Sequence, residues 1–363
     1  TRKTEKGLPQ YNEADVFVLS GAEDLVPYLK KIVDPTTNTV TWYHQDPIPH
    51  PTHDIIRYRP RTEGLFARIE RWTNKTTGEI YWRAITKDNI TSIYGRSPEA
   101  RLSDPDNPFR VYQWLLEESH DAFGNYILYE YAADDPLLYS HEEPALGLSH
   151  IFETNRKATQ LYIRRIYYGN LSSPLVDEQG SPITYSNGVP VGVLRDGRRH
   201  AFEVVFDYGD WDLPTRQPHP EPPSPGRQEL FGPDPSVSSQ QNPVPVREDR
   251  FSTFRAGFEI RTLRRCRRVL MFHHFAELGG PTLVRSTDFT YHTDPDTRLS
   301  LLSAVTVASY RKEGEHTYRS AAMPPVTFGY TQFRPHEQRY QSIEARGDDM
   351  PSPSLKNPDV ALV

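Results

Sequence analysis

The sequence predicts an all-β fold, built as a large antiparallel sheet assembly with one long proline-rich loop. Three observations predict it. Short segments of alternating polarity, separated by turn residues, run through most of the chain, and helical periodicity is nearly absent. Aromatic residues make up 12% of the 363 positions and include 21 Tyr. Tyr covers apolar surface while its hydroxyl stays wet, which suits broad, half-buried sheets. Finally, proline is densest in one stretch, 212–248, which interrupts the alternating pattern.

Taken in order, residues 68–72, a turn over 74–78 and residues 80–85 read as a hairpin. A second hairpin spans 113–119, a turn at 121–125, and 126–131. Both carry Gly late in a loop of roughly five residues, as longer hairpin loops favour. Residues 161–168 and 201–208 are further strands. In the latter, Phe202, Val204 and Phe206 share one face, while Glu203 and Asp207 take the other. Strands then follow at 256–263, 269–275, 282–291, 301–310 and 326–333. Several are apolar in part on both faces, which suits a sheet covered on both sides or a wall with a wet inner face. Only 98–102 and 149–158 could hold a helical turn or short helix. No long internal repeat of fixed period is present.

The stretch 212–248 carries Pro214, Pro218, Pro220, Pro222, Pro223, Pro225, Pro233, Pro235, Pro243 and Pro245. Proline fixes φ and removes backbone donors, so no central strand runs here. It reads as an extended surface loop inserted in a β domain spanning 1–333, either a variable insertion or a docking arm. A second proline-bearing stretch, 334–363, reads as a linker. The polar start and the apolar run over 359–363 read as cuts through a longer polypeptide.

A net charge of -6 and a pI near 6.1 speak against nucleic-acid binding. The hydrophobic share of 36% and mean hydropathy of -0.68 allow a core, thinly spread. No run of about 18 apolar residues marks a membrane span, and no signal peptide opens the chain. The single cysteine, Cys266, excludes an internal disulfide.

Nucleotide and hydrolase motifs are missing: no G-x-x-x-x-G-K-[ST], G-x-G-x-x-G, G-x-S-x-G or H-E-x-x-H occurs. Cys266 lies among Arg264, Arg265, Arg267 and Arg268, whose charges are expected to favour thiolate. With no base named by the sequence, a packed structural Cys is the preferred reading. The same arginines with Arg261 could hold phosphate, but pairing with local Glu and Asp is preferred. His273 and His274 are adjacent on a strand and point to opposite faces, so they cannot chelate one metal together. His44, His50, His53 and Asp54 lie in a loop with Pro47, Pro49 and Pro51 and are not expected to bind metal. Asp104, Asp106 and Asn107 read as turn-forming residues, since the Gly and distal Glu of a calcium loop are absent.

Several strings nevertheless resemble one family. Thr1-Arg-Lys-Thr-Glu-Lys-Gly-Leu-Pro-Gln-Tyr11, followed by Asp15-Val-Phe-Val-Leu-Ser-Gly-Ala-Glu-Asp-Leu-Val-Pro27, is similar to the start of the region shared by the SpvB/TcaC N-terminal domain family. So are Tyr162-Ile-Arg-Arg-Ile-Tyr-Tyr-Gly-Asn170 and Arg264-Arg-Cys-Arg-Arg-Val-Leu-Met-Phe-His-His-Phe275. The resemblance runs in order along nearly the whole chain. It implies a sheet forming part of a shell-like wall in a secreted bacterial toxin. In insecticidal toxin complexes the B component carries this domain. There it joins Rhs-repeat sheet in a hollow shell around a toxic C-terminal part, and a propeller after it contacts the pore-forming A component. In the Salmonella virulence protein a similar domain precedes an ADP-ribosyltransferase.

The implied partners are therefore the rest of the chain's own toxin, its propeller and Rhs-repeat segments, and the A and C components of a toxin complex. Neither nucleic acid nor direct membrane insertion is implied. The chain's end is expected to lead into a downstream propeller. The resemblance carries no catalytic, cofactor-binding or metal residue onto this chain, so none is expected and the chain is not expected to be an enzyme. A transferase reading would rest on Arg285-Ser-Thr287 and Glu313-Gly-Glu315, but the Ser-Thr-Ser strand between them is missing. A carbohydrate-binding β module would rest on Trp42, Trp72, Trp82 and Trp211, although aromatics on sheets usually belong to the core.

Overall fold

The computed structural model describes residues 2–3, 8–20, 24–64, 66–134, 158–171, 185–186, 189–190, 200–209, 246–313 and 318–331. In chain order the strands are β1 (Arg2–Lys3), β2 (Val16–Val18), β3 (Asp24–Pro27), β4 (Leu29–Val33), β5 (Val40–His44), β6 (His53–Pro60), β7 (Arg68–Asn74), β8 (Ile80–Ile85), β9 (Thr91–Tyr94), β10 (Arg101–Asp104), β11 (Asn107–Trp114) and β12 (Leu116–His120). There follow β13 (Tyr126–Ala133), β14 (Leu161–Asn170), β15 (Tyr185–Ser186), β16 (Val189–Pro190), β17 (His200–Asp207), β18 (Phe251–Thr253), β19 (Ile260–Thr262), β20 (Arg268–His273), β21 (Thr282–Thr293), β22 (Ser300–Lys312), β23 (Tyr318–Ala322) and β24 (Val326–Thr327). The described residues are all-β, as the sequence predicts.

One 16-stranded sheet runs in the order β1-β2-β3-β6-β7-β8-β9-β12-β13-β14-β17-β20-β21-β22-β23, with β24 also on β22. Every pairing in it is antiparallel. The chain therefore meanders across the sheet. The hairpins β4–β5, β10–β11, β15–β16 and β18–β19 stand apart from it.

Three hairpin turns share one construction. Asp34, Asn74 and Asp294 each accept backbone N–H bonds from residues two and three further on, closing the turn on a side-chain oxygen. The fifth residue of each turn is left-handed: Asn38 at φ 56°, Gly78 at 75° and Arg298 at 61°. Only Gly holds that conformation without a Cβ penalty.

Some expected elements are shorter or broken. The strand expected over 113–119 is two, because the chain turns at Leu115. Leu115 N–H bonds the Ala100 carbonyl and its own carbonyl accepts from Gly95. Gly95 sits at φ 61° against Trp114, and a Cβ there would lie 2.5 Å from Trp114 Cδ1. The helical turn expected over 98–102 is a single 3₁₀ turn, Pro98–Ala100. Of 256–263 only Ile260–Thr262 is strand, since Gly257 closes a turn on Phe254. Among the described residues of 326–333 only Val326–Thr327 is strand, and residues 321–331 are exposed. The helix expected over 149–158 lies outside the described residues except for Ala158, which is not helical. The linker 334–363 lies outside them entirely, as does the proline-rich stretch up to 245.

The hairpin β10–β11 and the segment 246–264 cover part of one sheet face. Val111 and Trp114 pack with Phe17, Ile69, Trp82 and Ala84. Leu263 and Val246 pack on Tyr162 and Tyr208. The two coverings meet, because Leu102 shares a cluster with Ala256 and Ile260. The Tyr11 hydroxyl also donates to the Ala256 carbonyl at 2.6 Å.

Candidate functional site

Directly paired residues in an antiparallel sheet share a face, so register assigns each side chain to one side. Across β14, β17, β20 and β21 one row reads Tyr167, Glu203, Phe272, Leu283. The next reads Arg165, Val205, Leu270, Ser286 and continues to Ala308 on β22, and a third reads Asp207, Arg268, Asp288. Val205, Leu270, Phe272 and Leu283 are 0 to 2% exposed. Burying each stabilises by roughly 1.5–3 kcal/mol.

Buried on this same face are Glu203 and Asp207, at 3% and 0% exposed. Each is met by side chains from a distant part of the chain. Arg268 holds Asp207 through Nε at 2.7 Å and through a second, shorter contact. His274 Nε2 meets Glu203 Oε2 at 2.8 Å, and Arg165 Nε stands 3.5 Å from the other oxygen, close enough for Coulomb attraction but unaligned as a hydrogen bond. Burial pushes the Glu130 carboxyl up, against the pull of Arg165.

The ionic pattern continues along the sheet. Glu70 is fully buried between Arg68, Arg83 and the Trp72 indole N–H. Glu118 accepts from Arg96 at 2.8 Å, with His120 Nδ1 3.2 Å away. Burial pushes the Glu118 carboxyl up, but His120 and Arg96 outweigh it and hold the group down at about 2. A buried charge without such a partner would cost several kcal/mol.

On the opposite face, β17 carries Phe202, Val204 and Phe206 beside Ile166, Tyr168, Val269 and Met271. All are only half-buried, and Phe206 packs against the cluster of Tyr162, Tyr208 and Leu263. The alternation read from sequence is thus correct, and the more deeply buried face of β17 is the acidic one. Gly169 lets Phe202 lie flat here, since a Cβ would come within 2.6 Å of its ring.

The residues weighed from sequence are dispersed. Cys266 is half-buried, its Sγ donates to the Arg268 carbonyl at 3.3 Å, and burial pushes its thiol up to about 11. The expected thiolate is therefore overturned: Arg264 and Arg268 turn to carboxylates instead. Arg264 Nε binds Asp134 at 2.9 Å, Arg261 grips Glu259 through two bonds, and Arg265 lies 4.4 Å over the Tyr291 ring. His273 packs on Phe202 and Phe275. His50 and His53 gather round Trp72, while Asp54 pairs with Lys75 at 3.6 Å; the His44 side chain lies outside what is described.

Asp104 accepts from Asp106 N–H, and Asn107 from Phe109 N–H, in the β10–β11 turn. Ser286 bonds Asp288 and Tyr310, and Glu313 pairs with Arg319; Glu315 lies outside the described residues. Trp72 and Trp82 are core, Trp42 is 58% exposed, and Trp211 is not among the described residues. Among those residues no three His, Cys, Asp or Glu side chains converge as a metal-binding group, and no helix is long and apolar enough to cross a membrane.

Sequence reasoning missed the β4–β5 hairpin. Leu29, Ile32, Val33, Val40, Trp42 and Tyr43 are all 44 to 58% exposed on it. The signal was present in Asp34-Pro-Thr-Thr-Asn-Thr39, a turn string between two β-branched runs.

A meandering sheet with paired charges packed on one face and half-open aromatics on the other defines a large all-β module. The chain belongs to the Salmonella virulence plasmid 65kDa B protein family, whose model matches residues 1–275. It is 32% identical over 323 residues to the mono(ADP-ribosyl)transferase SpvB of Salmonella typhimurium, covering 88% of this chain and 48% of that protein. The chain thus spans about half the length of the curated relatives it matches.

The solved N-terminal domain of effector protein SpvB from Salmonella typhimurium LT2 superposes with a TM-score of 0.61 at 30% identity, covering 85% of this chain and 86% of that one. A TcdB2-TccC3-Cdc42 crystal structure gives a TM-score of 0.65 at 28% identity, covering 92% of this chain but 14% of that one. The Photorhabdus luminescens Tc holotoxin pore gives 0.63 at 29%, again over 92% and 14%. The resemblance read from sequence is therefore correct, and the chain is homologous to an N-terminal domain of a virulence effector and to a segment of Tc toxin components.

Proposed function

We propose that this chain is a non-catalytic structural segment of a secreted bacterial toxin, one part of a wall that encloses or delivers a C-terminal effector. The observation that supports it is the sheet itself. Buried carboxylates such as Glu70, Glu118, Glu203 and Asp207 are faced by arginines of their own sheet or its turns, so they serve packing rather than chemistry. The long face opposite is left half-open along β14, β17 and β20. The matches to Tc toxin chains, in which this fold covers 14% of the length, support a segment working within a much larger polypeptide. The toxin's other segments and components would be its partners. The bond-making activity of the SpvB relatives would lie outside the matched half.

Incubating the purified chain with NAD and actin tests the non-catalytic reading. No nicotinamide release and no actin modification are expected; NAD turnover that disappears in Glu315→Ala would overturn it. A second reading is the N-terminal delivery domain of an SpvB-type transferase, favoured by the coverage of 86% of the solved SpvB domain. The downstream coding sequence separates the two: propeller and Rhs repeats support the shell, and an immediate transferase motif set supports the SpvB type.

A further inference from the structure

Each strand that leaves an edge unpaired carries a template for another strand, and proteins blunt such edges with Lys, Pro, bulges or shortness. The described edge strands of this chain are blunted, with one exception. β1 is Arg2–Lys3, β4 carries Lys30 and Lys31, β23 carries Arg319, β10 and β11 carry Arg101 and Arg110, and β18, β19 and β24 are two or three residues long. β5 reads Val-Thr-Trp-Tyr-His. It is five residues long, rich in β-formers, free of Lys, Arg, Asp, Glu and Pro, and pairs only with β4 among the described residues.

Its hydrogen-bonding direction is fixed. Gln45 N–H bonds the Tyr28 carbonyl at 3.0 Å, and Asp34 N–H bonds the Thr39 carbonyl at 3.0 Å. Alternation between these two closures turns the backbone groups of Thr41 and Tyr43 toward β4. The N–H and C=O groups of Val40, Trp42 and His44 face away from it. The ribbon is also incompletely covered, with Leu29, Val33, Val40 and Trp42 sharing one face at 44 to 58% exposed. A two-stranded ribbon of this kind gains from more strands.

We infer that β5 pairs antiparallel with β5 of a second copy of this chain, across a two-fold axis at Trp42. The register follows from the sequence. Trp42 opposes Trp42 of the other copy, and Val40 opposes His44, so the three outward-facing residues of each strand meet and form about six hydrogen bonds. No like charges oppose one another. Pairing through β4 would set Lys31 against Lys31, which is why the partner is a second β5 and the pair closes at two copies. The result is a four-stranded β4–β5–β5–β4 sheet whose one face gathers Leu29, Val33, Val40 and Trp42 of both copies, with Lys31 flanking each Trp42. This inference does not depend on the toxin reading.

Sedimentation velocity of the chain across the micromolar range tests it. A monomer–dimer equilibrium is expected, with Trp42 fluorescence shifting as the dimer forms. Trp42→Pro removes an N–H that β4 does not use, so the hairpin tolerates it while pairing is lost. Trp42→Glu keeps every donor, faces Lys31 of its own hairpin favourably, and sets two carboxylates across the axis, weakening association at least about tenfold. Trp42→Phe keeps the dimer. A chain that stays monomeric throughout, a dimer unaffected by both Trp42→Pro and Trp42→Glu, or assemblies larger than two that survive these changes would each overturn the inference.

Discussion

Replacing Arg264 by methionine is expected to loosen the segment 246–264 from the sheet it covers. The Arg264 side chain is only 2% exposed and its Nε binds Asp134 Oδ1 at 2.9 Å. Its Nη2 donates to the Ala133 carbonyl at 3.1 Å, and its guanidinium lies 5.1 Å from the Tyr162 ring. Tyr162 completes the network: its hydroxyl accepts from Leu263 N–H at 2.9 Å and from Arg264 N–H at 3.3 Å. Met fills much of the arginine's volume, so the loss is mainly electrostatic. Asp134, with its side chain 12% exposed, would be left as a nearly buried carboxylate without its main cation. Breaking a buried pair from one side costs about 3–5 kcal/mol, and the residual exposure of Asp134 places the expectation at about 3 kcal/mol. Urea unfolding followed by tryptophan fluorescence measures it. The double variant with Asp134→Asn should recover part of the loss, with a coupling energy of about 1–3 kcal/mol. A single variant within about 0.5 kcal/mol of the parent chain would refute the argument, because that is the behaviour of a surface arginine.

Three further outcomes are expected. Glu118 is held at about 2 in the folded chain against an ordinary 4.5, so its stabilisation is fully present above the ordinary value and is lost as the pH falls from there toward about 2; Glu118→Gln should flatten the acid limb of a pH–stability curve, and an unchanged limb would refute the pairing. Gly78→Ala should cost about 1–2 kcal/mol through backbone strain alone, since nothing lies within 4 Å of a Cβ there, whereas Gly95→Ala should cost more because the indole of Trp114 must also move; equal melting shifts for the two would refute the distinction. Cys266, with its thiol pushed up to about 11, should react with iodoacetamide at mildly alkaline pH only on unfolding; rapid native-state alkylation would refute the packed-thiol geometry.

Most strands of the central sheet were legible because alternation and turn residues are local signals. Residues 68–72 and 80–85 were found within β7 and β8 for that reason. What alternation could not supply is which face of β17 is more deeply buried. Phe202, Val204 and Phe206 look like a core stripe, yet Glu203 and Asp207 are the buried set, because Arg165, Arg268 and His274 reach them from elsewhere in the chain. Such pairing is invisible to any local window. The thiolate expected at Cys266 fails for the same reason, while its reading as a packed cysteine stands: two of the neighbouring arginines bind Asp134 and Asp207 instead of acting on the thiol. The β4–β5 ribbon escaped because Lys30 and Lys31 sit side by side and break the two-residue period on β4.

Val246 packs against the cluster that holds Tyr208, and this has a consequence for how the protein can change over time. These two residues bracket the ten prolines of the stretch 212–248, so the chain leaves and rejoins the sheet at one cluster. Closing a loop whose ends are held in one cluster costs little more as it lengthens, about 0.6 kcal/mol for each doubling. Lineages can therefore lengthen, shorten or rewrite the sequence between Tyr208 and Val246 while the strands on either side keep their register. The same junction offers the engineer a port: a reporter domain whose termini lie close together could be spliced between these residues, leaving β17 and β20 paired as before.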